Sequence, residues 1–195
     1  LDSCVAFLSN QAMNYFATGE SPKAIGNAHP NIVPYQTFKT SDGALILACG
    51  NDNLFNKFCE VADCMHLAKN PLYSTNGARV KNREAITALL NDIFLKRTTR
   101  EWVKLLDQAG VANGPINTVA QVFEEPQVQH LNMVKHVVSP HQGPQRLVGQ
   151  PVQLERTPST IARSAPRRGE HTEEILKEIG VQAEDLTRLK SSGVY

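Results

Sequence analysis

A chain of 195 residues with 20 lysines and arginines against 19 aspartates and glutamates has a formal net charge of +1, so no bulk field draws it to nucleic acid or to an anionic membrane. Its apolar fraction of 41 % and charged fraction of 20 % are those of an ordinary globular protein, with enough chain for one or two domains. No apolar run approaches the roughly 20 residues of a membrane span, and no charged-then-apolar leader opens the chain; the expectation is a soluble cytoplasmic protein.

The chain opens on Leu1, already inside an amphipathic pattern in which Leu1, Val5, Leu8, Ala12 and Tyr15 share a helical face. This helix is expected to stop at Gly19, with Pro22 close behind. No capping residue precedes it, so the chain reads as a portion of a longer polypeptide. Residues 20–33 read as a loop. Residues 35–40 mix aromatic and β-branched side chains with Gln36 and Lys39, which predicts a half-exposed strand. Ser41-Asp42-Gly43 is a hairpin signal, because Asp and Gly tolerate the positive φ of a two-residue loop. Residues 44–49 are apolar throughout, as expected of a strand covered on both faces. Gly50 breaks that strand, and Asn51 or Asp52 can cap a helix whose apolar positions are Leu54, Phe55, Phe58, Val61 and Ala62.

After a connector at 69–76, a long helical pattern carries Ala85, Ile86, Leu89, Leu90, Ile93 and Phe94 on its apolar stripe. Thr98 and Glu101 have the separation of a capping box. The helix they open carries Trp102, Leu105, Leu106 and Ala109, and ends at Gly110 with Val111 placed for a Schellman contact. Residues 111–117 are extended and punctuated by Gly114-Pro115. Two short helical turns follow, over 119–123 and 127–131. Strands are predicted at 134–138 and 146–148, joined by a longer turn over 139–144. Residues 157–168 read as an irregular arm, and the chain closes with helices over 173–179 and 184–190, each opened by acidic residues and closed by glycine.

The chemistry-bearing residues concentrate between 26 and 52. His29 sits before Pro30 in a loop, where its ring either meets a ligand or is simply solvated. Asn31 and Asn51 can orient a carbonyl or amide, or can satisfy a turn. Asp52 is either a general base at a strand end or a helix cap. Cys4, Cys49, Cys59 and Cys64 lack C-x-x-C spacing and read as plain buried thiols rather than a zinc site or disulfide framework. His130, His136 and His141 do not share a helical face, which argues against a metal there. Gly169-Glu170-His171-Thr172 at a helix start, preceded by Arg163, Arg167 and Arg168, reads as a phosphate contact or as a solvated basic arm. No P-loop, G-x-G-x-x-G, G-x-S-x-G or H-E-x-x-H motif occurs. From the residues alone, the chain is a mixed α/β protein with one candidate ligand loop.

Taken together and in order, several segments resemble the class III CoA-transferase (CaiB/BaiF) family, which includes formyl-CoA transferases: Ala28-His29-Pro30, residues 32–40, Asp42-Gly43, Gly50-Asn51-Asp52, Asn76-x-x-Arg79-Val80-x-Asn82-Arg83, residues 98–102, Ala109-Gly110-Val111, Gly114-Pro115-Ile116-Asn117, Pro126-Gln127-Val128 and Gly169-Glu170-His171-Thr172. The resemblance spans nearly the whole chain and corresponds to the C-terminal half of such enzymes. It implies transfer of coenzyme A from an acyl-CoA thioester to a small carboxylic acid through an aspartyl anhydride and an aspartyl-CoA thioester, with no permanently bound cofactor. The nucleophilic aspartate would lie upstream of residue 1, so no catalytic nucleophile belongs to this segment. It further implies that residues 33–117 form a small domain, that 1–32 and 118–195 complete a Rossmann-like large domain, and that two chains interlock as a homodimer. A mobile loop just before the hairpin, Gly-rich in some members, covers the acyl-enzyme site in this family. Here it corresponds to residues 26–31 with the single glycine Gly26, so Gly26, His29 and Asn31, together with Asn51 and Asp52 at the end of the second strand, are the substrate-binding candidates. Two alternative functions remain open: an α-methylacyl-CoA racemase of the same family, which uses a Glu near the position of Asp52, and a non-catalytic dimerisation or interaction module.

Overall fold

The computed structural model describes residues 1–195, a mixed α/β chain of eleven helices and five strands. It divides into two compact units, Leu1–Ile116 and Asn117–Tyr195.

In the first unit, β1 (Tyr35–Lys39), β2 (Ala44–Ala48) and β3 (Ala112–Pro115) form an antiparallel sheet in that order, with Thr37 opposite Ile46 and Ile46 opposite Gly114. The Gly-Pro-punctuated extension is therefore the third strand. β2 was expected to be covered on both faces, and it is not. Leu45 and Leu47 are fully buried while Ala44, Ile46 and Ala48 are half-buried, the alternation of a sheet with a core on one side.

That side is covered by α3 (Asp52–Val61), α4 (Met65–Lys69), α5 (Asn76–Lys81), α6 (Arg83–Phe94) and α7 (Thr99–Gln108), whose apolar faces join one core. At its centre Phe94 stacks on Phe38 at 4.7 Å and on Phe58 at 5.6 Å, and meets Trp102 at 4.9 Å. Each such pair contributes about 0.5–1.5 kcal/mol beyond its area burial. The buried indole N–H of Trp102 donates to the Phe94 carbonyl at 2.8 Å. α7 has both capping-box bonds at Thr98 and Glu101. It ends as expected, with Gly110 at φ 66° and the Val111 amide donating to the Leu106 carbonyl.

The hairpin turn differs from the two-residue loop expected. Four residues, 40–43, connect the strands, and neither Asp42 nor Gly43 has positive φ. Asp42 is instead drawn to α7, where its Oδ1 accepts from the Thr99 amide at 2.8 Å and the Thr99 hydroxyl at 3.0 Å. A Cβ on Gly43 would come within 3.0 Å of the Thr99 hydroxyl, so close approach, not handedness, explains that glycine.

The single first helix expected is split into α1 (Asp2–Ala6) and α2 (Ser9–Thr18). The Leu8 amide bonds back three residues to Val5 and Ser9 takes φ 40°. Neither piece buries a residue in this chain, so no packing enforces one continuous helix.

In the second unit, α8 (Val119–Glu124) and α9 (Pro126–His130) precede the antiparallel pair β4 (Val134–Ser139) and β5 (Gly143–Val148). The turn between these strands is tighter than expected: residues 140–142 suffice because Gly143 takes φ 72°. Residues 157–168 carry no regular structure, and α10 (Thr172–Glu178) and α11 (Ala183–Ser191) close the chain. No helix is long and apolar enough to cross a membrane.

Candidate functional site

The loop before β1 turns first at Gly26, whose φ of 67° with open space around an added Cβ makes it a conformational glycine. Asn27 ties the loop to the sheet edge by accepting from the Thr37 amide at 3.1 Å. The His29 amide donates to the Tyr35 carbonyl at 2.9 Å, and its ring stacks on Tyr35 with centroids 5.3 Å apart. Its Nδ1 accepts from the Asn31 amide at 3.1 Å, which leaves Nε2 as the ring's N–H donor. Asn31 bonds the Asn14 side chain at 3.1 Å through its own amide group.

From Pro30 to Val33 the backbone is held by side chains of α5 and α6. Arg83 donates to the Pro30 carbonyl at 2.6 Å; Asn76 donates to the Asn31 carbonyl at 2.8 Å and accepts from the Val33 amide at 3.1 Å. Arg79 donates from Nε to the Val33 carbonyl, from Nη1 to the Tyr73 carbonyl at 2.9 Å, and from Nη2 to Asp52 Oδ1 at 2.8 Å. Its guanidinium also lies 4.2 Å over the Phe55 ring.

The cap of α3 is Asn51, whose Oδ1 accepts from the Leu54 amide at 2.9 Å; Asp52 does not cap. Asp52 stands in the first turn, where the helix dipole favours its charge, and its side chain is 47 % exposed while Arg79 is fully buried. The structure thus joins His29, Asn31 and Asp52 in one hydrogen-bonded network through Asn76 and Arg79. Gly26 shapes the loop, and Asn51 serves α3. Chemically, the network leaves the Asp52 carboxylate half open to solvent as an acceptor or base, and the His29 Nε2–H as a donor.

Asn76, Arg79 and Arg83 carried no assigned role in the sequence reading. Their signals in the sequence are helical spacing at i, i+3 and i+7 and their place in the Asn76-x-x-Arg79-Val80-x-Asn82-Arg83 segment of the family resemblance, neither of which says what they hold.

Away from this loop, no group of three or more His, Cys, Asp or Glu side chains is placed to hold a metal ion. In the second unit Arg163 pairs with Glu174 at 3.0 Å. Glu170 accepts from the Arg167 amide and bonds His141 at 3.0 Å; those contacts, the Arg167 amide foremost, hold its carboxyl below the usual range. Of the donors that could have met a phosphate, the Arg163 guanidinium and the Arg167 amide are engaged by carboxylates. Cys49, Cys59 and Cys64 are the buried free thiols expected, but Cys4 is exposed, because α1 buries no residue in this chain.

Residues 1–172 match the model of CoA-transferase family III. Over 179 residues the chain is 39 % identical to a human succinyl-CoA:glutarate CoA-transferase, covering 92 % of this chain and 41 % of that protein. A succinate–glutarate CoA-transferase of Agrobacterium fabrum is 35 % identical, with 92 % and 45 % covered. Among solved structures, a CAIB/BAIF family protein from Brucella suis superposes with a TM-score of 0.73 at 42 % identity, covering 89 % of this chain and 44 % of that one. The chain belongs to CoA-transferase family III. It spans less than half the length of these curated relatives.

Proposed function

We propose that the chain is the C-terminal portion of an acyl-CoA:carboxylate CoA-transferase whose acids are small dicarboxylates. The observation that carries this reading is the 39 % identity, along 92 % of the chain, to a protein named for exchange between succinyl-CoA and glutarate. In the family mechanism an upstream aspartate attacks the thioester carbonyl and expels the CoA thiolate, leaving a mixed anhydride. The thiolate then attacks the aspartyl carbonyl of that anhydride and releases the first acid; the acceptor carboxylate displaces the thiolate from the aspartyl thioester to form a second anhydride, and the thiolate attacks the acceptor's carbonyl, releasing the new CoA thioester and the free aspartate. Residues 33–117 are the small domain in this reading, residues 1–32 and 118–195 complete the large domain, and two chains interlock in a cytoplasmic homodimer. Gly26, His29, Asn31, Asn51 and Asp52 line the edge of the substrate site, with coenzyme A present only as thioester substrate.

Racemase chemistry is the weaker reading. Asp52 is one methylene shorter than the glutamate such enzymes use near this position, and its Oδ1 is already committed to Arg79. The deciding experiment incubates the full-length parent with a panel of acyl-CoA donors and carboxylate acceptors. Label passing from succinyl-CoA to glutaryl-CoA is expected, with none for the isolated 195-residue chain. Exchange of an α-proton with deuterated solvent, without CoA transfer, would overturn the proposal in favour of the racemase; turnover by the isolated chain would remove the upstream nucleophile.

A further inference from the structure

Residues 30–33 offer four backbone groups to partners: the carbonyls of Pro30, Asn31 and Val33 and the amide of Val33. All four are bonded by side chains from the short stretch between Asn76 and Arg83. This is an unusual use of a helix face. Arg79 is fully buried, and taking a guanidinium out of water is costly unless its donors are satisfied; an apolar side chain of similar volume would fill the space without that desolvation but would leave the Val33 and Tyr73 carbonyls without a donor. What an apolar residue could not do is reach two separate elements with one rigid fork. Arg79 does so, spanning the Val33 carbonyl at the end of the loop and the Asp52 carboxylate at the start of α3.

We infer that Asn76, Arg79 and Arg83 are positioning residues: they fix the backbone of residues 30–33 beneath His29 and, through Arg79, couple that backbone to the Asp52 carboxylate. A shift of the loop moves the Val33 carbonyl, turns the guanidinium plane and re-aims Asp52. Two candidate substrate contacts on different elements are thereby held to one geometry. The catalytic consequence rests on reading the loop as the site edge; the clamp itself does not.

The test compares Asn76→Ala with Asn82→Ala in the full-length protein. Asn82 lies on the same stretch and donates to the Leu72 and Ala78 carbonyls without touching the loop. Arg79→Lys, which keeps the charge but loses the fork, is the third variant. Hydrogen exchange over residues 28–34 should quicken at least about tenfold in Asn76→Ala and stay at the wild-type rate in Asn82→Ala. Transfer kcat should fall about tenfold or more in Asn76→Ala and Arg79→Lys, with the KM for the CoA thioester nearly unchanged, because misplacement rather than lost binding is the defect. Wild-type exchange in Asn76→Ala overturns the clamp. Faster exchange with undiminished kcat overturns the positioning role. If the wild-type parent transfers no CoA, the proposed function fails, while the exchange measurement still decides the clamp.

Discussion

Arg79 and Asp52 form an ion pair of unequal exposure: the guanidinium is wholly buried and the carboxylate 2.8 Å away is about half open to water. Each partner therefore depends on the other to a different degree. Removing Arg79 orphans the Val33 and Tyr73 carbonyls, empties a site over Phe55 and releases Asp52. Removing the Asp52 charge leaves the guanidinium with its two carbonyl acceptors and its ring. Arg79→Met is expected to cost about 3 kcal/mol and Asp52→Asn roughly 1 kcal/mol, read from urea denaturation midpoints at constant m. Equal losses would mean that the pair behaves as fully desolvated, contrary to the exposure of Asp52.

The hairpin turn carries a pH-dependent contact of its own. Bonds from the Thr99 amide and hydroxyl hold the Asp42 carboxyl below its ordinary value. A carboxyl depressed in the folded state stabilises above its unfolded pKa of about 3.9, and that contribution is lost as the pH falls through the folded value. Asp42→Asn should therefore lower Tm at pH 7, and the difference from wild type should shrink steadily below about pH 4. A difference that persists unchanged at the lowest pH would assign the effect to packing at Thr99 rather than to charge.

How much of this could be read from the residues follows from what each element depends on. The capping box at Thr98 and the glycine stop at Gly110 involve only neighbours in sequence, and both stand where the pattern put them. The turn at Asp42 was recognised as a turn but assigned the wrong shape, because its geometry is set by Thr99, 57 residues away. The apolar run of β2 was overread as two-sided burial, since a run of Ala, Leu and Ile cannot report which face lacks a neighbour. At the candidate site His29, Asn31 and Asp52 were named, but not the arrangement that joins them. A buried arginine with three different acceptors leaves no trace in composition or periodicity, and the resemblance segment that contains Arg79 does not show which groups its guanidinium reaches.

The cysteines give a separate check on the core of the first unit. Thiolate, not thiol, reacts with disulfide reagents. Burial pushes the Cys49 thiol up to about 12; the hydrogen bond between Cys59 and Cys64, together with burial, pushes Cys59 up, while the same bond lowers Cys64. Cys49 and Cys59 stay protonated at neutral pH, and Cys64 is equally closed to reagent at 2 % exposure. Cys4 alone is exposed. An aromatic disulfide reagent at pH 8 should therefore titrate one thiol of the native chain at once and all four in denaturant. Slow labelling of the remaining three should accelerate with urea in step with unfolding, because the reagent reaches them only through opening of the core. Rapid reaction of two or more thiols in the native state would contradict the burial of Cys49, Cys59 and Cys64 in the core of the first unit.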